Sequence, residues 1–259
     1  QDKNLLLKET FALAVQAHQK NNLDGAQNFY NKVLEINPNQ VYALNNLGLI
    51  FINLGENQKA LSYLNKVIKI KPDYANAHNN LGVIYKNLKD YQKAQECYEK
   101  AIEINPNYAH AQNNLGAVFQ ELADNQKAKE CYEKAIQIDP NYLNALNNLG
   151  LIFKNLNEDQ KALNYFEKVI KIKPDYAEAY NNAGIIFKRM GEYQKAKNYF
   201  EKAIEITPNY AKAYNNLGKT LEEFREYEKA KECYEKAIKI DPNFVNALNN
   251  LNTNMKVGE

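Results

Sequence analysis

All seven prolines of the chain, Pro38, Pro72, Pro106, Pro140, Pro174, Pro208 and Pro242, stand 34 residues apart, and none falls between. Proline lacks a backbone donor and disfavours helical geometry in the residue before it, so it ends helices. Six glycines (Gly48, Gly82, Gly116, Gly150, Gly184, Gly218) and seven alanines (Ala26, Ala60, Ala94, Ala128, Ala162, Ala196, Ala230) keep the same interval. An internal repeat of this strictness removes the usual expectation of one compact domain per ~150 residues.

Units starting at Leu7, Val41, Ala75, Ala109, Leu143, Ala177 and Ala211 tile most of the chain. Within each, apolar residues recur at three and four over two stretches, for example Tyr42 to Leu54 and Asn57 to Ile70, the period of amphipathic helices. Each unit therefore reads as a helical hairpin. The turns between paired helices are short, as at Gly55-Glu56-Asn57 and Lys89-Asp90-Tyr91, and leave little room for a mobile catalytic loop. The residue after each proline (Asn39, Asp73, Asn107, Asn141, Asp175, Asn209, Asn243) is expected to cap the next helix. Ala43, Leu47, Ile50, Phe51 and Leu54 are expected to be the buried stripe of one first helix. The mid-helix glycines cost about 0.5 to 1 kcal/mol each relative to alanine and imply close approach, with Gly48 and Ala60 at a helix crossing. Phe51, Tyr85, Phe119, Phe153 and Phe187 read as core.

With 45% hydrophobic and 25% charged residues, the chain can bury a core. A net charge of +2 is too balanced for nonspecific nucleic-acid binding. No apolar run approaches the ~18 residues of a membrane span, and Gln1 to Thr10 is no signal peptide. The opening without methionine suits a piece of a longer protein.

The pattern Leu47-Gly48, Phe51, Ala60, Leu64, Pro72, repeated as Leu81-Gly82, Tyr85, Ala94, Tyr98, Pro106, resembles the tetratricopeptide repeat (TPR). The family's usual Trp is replaced by Leu44, His78, Gln112, Leu146, Tyr180 and Tyr214; Ala14 and Asn252 replace the glycine at the two ends. The resemblance implies an all-α fold, an α-solenoid in the form of a right-handed TPR superhelix of stacked hairpins, with first helices inside and second helices outside. Residues 7–40 form an atypical first repeat, 41–244 six repeats, and 245–259 a single helix or partial eighth repeat.

On the first helices an Asn-Asn pair recurs at 45–46, 79–80, 113–114, 147–148, 181–182, 215–216 and 249–250. Asparagine is a mediocre helix former, and its amide can grip the carbonyl and amide of a peptide backbone. Two uses are open: bonds between neighbouring hairpins, or a ladder that holds an extended peptide. The second asparagines, Asn46, Asn80, Asn114, Asn148, Asn182 and Asn216, are assigned to the ligand by resemblance to the asparagine ladder of the TPR arm of O-linked N-acetylglucosamine transferases. That assignment stops at Ala12 in the first unit.

Stacked helices about 8 to 10 Å apart and a peptide rising about 3.3 Å per residue give one rung per three ligand residues. Rungs of about 0.5 to 1.5 kcal/mol are offset by ordering costs of about 1 to 2 kcal/mol per residue. Selectivity therefore falls to the inner aliphatic set Leu49, Val83, Ala117, Leu151 and Ile185 and to the inner charges. Lys86, Lys154, Lys188 and Arg189 face Glu121, Glu222 and Glu223 in a groove basic in its middle and acidic toward its C-terminal end. The lysine-asparagine and lysine-arginine clamp with which some members hold heat-shock protein tails is missing: the matching positions carry Asn45 with Leu49, Asn79 with Val83, and Lys212 with Asn216.

Cys97, Cys131 and Cys233 share one repeat position too widely spaced for disulfides, which suits a reducing, intracellular compartment such as the cytoplasm. His18, His78 and His110 lack partners at metal spacing, and no nucleophile elbow or phosphate loop occurs; neither metal nor cofactor is expected. Pairs such as Glu96 with Lys100 and Glu130 with Lys134 have the spacing of surface ion pairs. The sequence thus points to a noncatalytic interaction scaffold that binds an extended peptide. Two alternatives are the recognition arm of a larger enzyme, such as a glycosyltransferase continuing past Glu259, and a scaffold that associates end to end through the apolar flank at Leu248 and Leu251.

Overall fold

The structure, a computed structural model, describes residues 3–257 and places fifteen α-helices and no strand among them. They fall into two compact units, Gln1–Asp139 and Pro140–Glu259. The first holds α1 (Lys3–Gln19), α2 (Leu23–Ile36), α3 (Val41–Asn53), α4 (Asn57–Ile70), α5 (Ala75–Asn87), α6 (Tyr91–Ile104), α7 (Ala109–Glu121) and α8 (Asn125–Ile138). The second holds α9 (Leu143–Asn155), α10 (Asp159–Ile172), α11 (Ala177–Arg189), α12 (Tyr193–Ile206), α13 (Ala211–Glu223), α14 (Tyr227–Ile240) and α15 (Val245–Val257). Each unit is an α-solenoid of stacked hairpins. Within a hairpin the paired helices pack most closely, and inside each unit a second helix also packs on the first helix that follows it, α2 on α3, α4 on α5 and α6 on α7 in the first, α10 on α11, α12 on α13 and α14 on α15 in the second. First helices in addition touch one another, α3 on α5 and α5 on α7 in the first unit, α9 on α11, α11 on α13 and α13 on α15 in the second. Among the described residues the second helices have no comparable mutual packing, so the first helices line the inner side of each curve.

The core explains the repeat's invariants. An added Cβ on Gly82 would lie 2.6 Å from the Tyr98 ring, and one on Gly150 would lie 2.7 Å from the Phe166 ring. The glycines therefore make room for a fully buried side chain of the second helix, sixteen residues on, a ring at most repeats and Leu64 opposite Gly48. Tyr98, Tyr132, Phe166 and Phe200 are completely buried. Phe51, Phe119, Phe153 and Phe187 are buried as expected, and Tyr85 is half-buried. A lysine from the next helix lies over each such ring, as Lys59 over Phe51 at 5.2 Å and Lys161 over Phe153 at 5.3 Å.

Several local expectations are corrected. The residue after the proline is not the cap. It sits inside the turn, and helices start one residue later, after Gln40, Tyr74, Tyr108 or Tyr142. The side chain that stabilises this turn precedes the proline: Asn37, Asn105 and Asp241 accept from the backbone N–H of Asn39, Asn107 and Asn243, an Asx turn. Leu54 is 45% exposed rather than buried, because it is the residue that closes its helix. Gln92 and Gln126 donate to Glu96 and Glu130, while Lys100 turns to Glu103 at 2.9 Å; the expected Glu96–Lys100 and Glu130–Lys134 pairs are not made. Helix α1 starts at Lys3, ahead of the unit boundary drawn at Leu7.

The tight turn within each hairpin has one residue in the left-handed region: Asn21, Gly55, Lys89, Ala123, Asn157, Gly191 and Arg225, at φ between 55° and 78°. The next N–H reaches back into the first helix, as Glu56 to the Phe51 carbonyl at 2.9 Å, which satisfies carbonyls at the helix end. Only Gly55 and Gly191 adopt this conformation without steric cost.

Candidate functional site

The asparagine pairs lie on the inner side, where first helices touch. The first asparagines Asn45, Asn79, Asn113, Asn147, Asn181 and Asn215 are buried, whereas Asn249 in the last helix is exposed. Second asparagines donate their Nδ2 to the Oδ1 of the first asparagine one repeat back: Asn80 to Asn45 at 3.1 Å and Asn114 to Asn79 at 3.1 Å in the first unit, Asn216 to Asn181 at 2.9 Å and Asn250 to Asn215 at 2.8 Å in the second. The amides thus form rungs between stacked hairpins. Where Phe11 replaces the first asparagine, Asn46 donates instead to the Tyr30 hydroxyl at 2.9 Å. Asn46, Asn114, Asn148 and Asn216 are half-buried, whereas Asn80 and Asn182 are buried.

One position of the second unit differs. Asn182 turns its Oδ1 to the ammonium of Lys154, 2.8 Å away. Lysine has only donors, so this contact takes the oxygen end of the amide, and the Asn147 Oδ1 below it is buried without a partner. Burial holds the Lys154 ammonium below its ordinary pKa, with Glu178 opposing and Arg189 and Lys212 reinforcing. Around it lies a groove of about 350 Å³ with Leu151, Lys154, Asn182, Ile185, Lys212 and Asn216 in its wall, joined by Glu178, Tyr210 and Phe244. Lys188, one repeat on, is also half-buried and lowered by burial and by Lys219, with Glu223 and Glu222 opposing. Neither lysine is drawn into a salt bridge among the described residues.

The remaining sequence candidates separate clearly. Leu49, Val83, Ala117, Leu151 and Ile185 are all half-buried on first helices, as an accessible apolar lining must be. Lys86 is half-buried in the first unit. Arg189 is the most committed cation: it forms an ion pair with Asp159 and donates to Asn157 at 2.9 Å and to the Lys154 carbonyl at 3.2 Å. Glu222 accepts from Asn254 at 3.3 Å. In α15, Val245 and Leu248 are exposed and Leu251 is half-buried.

Sequence reasoning missed the partnership between this inner position and the buried ring behind it. Gln120 accepts from the Tyr132 hydroxyl; Glu222 stands beside Tyr234, whose phenol is raised by burial and by that charge. Where the inner residue is Lys154 or Lys188, the ring is Phe166 or Phe200 and carries no hydroxyl. The pairing twelve residues apart is visible in the sequence in the second unit, while in the first unit Lys86 stands before Tyr98, which keeps its hydroxyl. A second hollow, about 610 Å³, opens away from the asparagine face at Pro208, Tyr214, Lys236 and Lys239.

The three thiols are free, and burial pushes each up to about 11, which makes them poor nucleophiles. Among the described residues no cluster of three His, Cys, Asp or Glu could hold a metal, and no helix is long and apolar enough to cross a membrane.

A family model described as tetratricopeptide repeat matches residues 39–107, 73–141, 109–175 and 175–243, and a second, described as TPR repeat, matches 17–55. No curated protein matches. Among solved structures, a chain of the APC/C hetero-tetramer Cut9-Hcn1 aligns over 93% of this chain at TM-score 0.79 and 16% identity; the present chain spans 48% of its length. The Pseudomonas aeruginosa pilF structure aligns over 85% of this chain and 97% of its own, at TM-score 0.74 and 21% identity. YrrB, a TPR protein with an unusual peptide-binding site, aligns over 72% of this chain and 96% of its own, at TM-score 0.59 and 26% identity.

Proposed function

The chain belongs to the tetratricopeptide repeat family, and from that premise we propose that it is a protein-protein interaction scaffold whose first-helix faces bind a polypeptide segment in extended conformation. The observation that carries this reading is the groove of the second unit, where half-buried aliphatic side chains, amides and the Lys154 ammonium, bonded to an amide oxygen and outside any salt bridge, meet on one surface. A half-buried ammonium without a counter-charge is costly, and Lys154 and Lys188, both outside any salt bridge among the described residues, favour a ligand that supplies one. YrrB, similar over most of its length, is described as having a peptide-binding site, which supports the same class of ligand here.

On this reading the asparagines do two jobs. The bond that Asn114 or Asn216 gives to the stack uses one N–H and leaves the other N–H and Oδ1 for a peptide backbone. The stack thereby fixes the amide before the ligand arrives, which lowers the ordering cost. Asn46, Asn80, Asn148 and Asn182 complete the set, with Leu49, Val83, Leu151 and Ile185 as apolar contacts. Lys86, Lys154 and Lys188 supply charge, and Arg189 braces the Asp159 turn beside them.

A peptide selected against the full chain from a library of unstructured sequences tests this. Ile185→Glu is expected to lower its affinity at least tenfold with helicity unchanged, and Lys239→Glu on the other surface to leave it unchanged. Equal affinity for all three proteins would remove the inner face from the account.

A further inference from the structure

We propose that the stretch of inner face around Lys154 and Lys188 takes acidic side chains of the bound segment, and that a carboxylate arriving at Lys154 releases Asn182 to close the open rung on Asn147. The proposal rests on the groove reading above and specifies its ligand chemistry.

The argument starts from a mismatch. Rungs at Asn80, Asn114, Asn216 and Asn250 all run Nδ2 to Oδ1 between repeats. Asn147 and Asn182 occupy the same repeat positions, yet Asn182 serves Lys154 and the Asn147 oxygen is left buried and unpaired. A neutral amide oxygen brings an ammonium no counter-charge; a carboxylate accepts the same hydrogen bond and adds the attraction of a full opposite charge. Exchange of the amide for a carboxylate would satisfy two groups at once, the ammonium and the Asn147 oxygen.

The surroundings favour an anion. Lys154 and Lys212 line the groove against one carboxylate, Glu178, and Lys188 follows on the next first helix without a salt bridge. The phenylalanines behind both lysines offer no hydroxyl to share their charge. Equivalent positions on stacked helices are about 8 to 10 Å apart, which an extended chain spans in two to three residues at about 3.3 Å each. The fitting ligand carries two acidic residues separated by one or two others. Glu222 and Glu223 lie beyond Lys188, so a basic residue following the acidic pair would complete the match.

The test uses the full chain and two synthetic peptides, one of Ser, Thr and Val carrying Glu-Xaa-Glu, and its Gln-Xaa-Gln twin. The acidic peptide is expected to bind at least tenfold more tightly, to lose that preference in Lys154→Met, and to move the side-chain amide resonances of Asn182 toward those of Asn114 and Asn216. Equal binding of the twins on the inner face would overturn the acidic site and leave the groove reading standing. A preference for glutamate with unmoved Asn182 resonances would overturn the rung exchange. Failure of the acidic peptide to shift Lys154 or Lys188 at millimolar concentration would overturn the proposal, while the library-selected peptide independently judges the groove.

Discussion

The repeats containing Gln120 and Lys154, one in each compact unit, share the same glycine-over-ring core but end it differently. In the first, the Tyr132 hydroxyl reaches through to Gln120 on the inner face, and Asn114 closes its rung on Asn79. In the second, Phe166 stops short, Lys154 stands half-buried above it, and the Asn147 acceptor goes unmet. One inner position and the ring behind it separate a satisfied structural repeat from one that has unfilled capacity. The lesson is that the 34-residue period builds the frame, while binding chemistry resides in the few positions where the period is not kept.

The largest effect concerns what the two repeats have in common. Phe166→Ala and Tyr132→Ala should each cost about 3 to 5 kcal/mol by denaturant melts, because both vacate the space their glycines provide. A loss below about 1 kcal/mol at either would break the equivalence. Gly150→Ala should cost about 1 to 3 kcal/mol, the Cβ having no room beside Phe166.

The comparison sharpens with one substitution made twice in the first unit. Tyr132→Phe removes the bond to Gln120 and should cost about 0.5 to 1.5 kcal/mol. Tyr98→Phe removes a buried hydroxyl that has no partner and should leave stability unchanged or raise it by up to about 1 kcal/mol. Equal losses at both sites would show that the hydroxyl environments are the same. In the second unit Lys154→Met frees Asn182 for Asn147 and should stabilise the unliganded protein by about 0.5 to 1.5 kcal/mol, read as a higher melting temperature.

The smallest effects lie in the turns. Ala123→Gly should stabilise by about 0.5 to 1 kcal/mol by relieving a left-handed alanine, and Gly191→Ala should destabilise by about as much.

Much of the fold was legible because its signals are local and repeated seven times. Proline ended helices, the period of three and four placed their faces, and the glycines marked close approach. The same period also showed that Leu49, Val83, Leu151 and Ile185 lie on first helices off the core stripe, where they are half-buried. The cap was misplaced because Asn39 and Asn37 are equally good Asx residues, and only turn geometry tells which one reaches a backbone N–H. Leu54 looked buried because its spacing fits the stripe up to the point where the helix stops. The asparagine pair was ambiguous for a deeper reason: the amide that grips a ligand and the amide that bonds a neighbour are the same chemical group, and only their separation across repeats decides. The open rung at Asn147 could not be read, since it depends on which way Lys154 turns.

The inner-face account is tested most directly by locating a bound peptide. A photo-crosslinking side chain placed at Ile185 in one sample of the full chain and at Lys239 in another should capture the library-selected peptide at Ile185 and spare it at Lys239. Capture at Lys239, with none at Ile185, would contradict the account and place binding in the hollow on the other surface.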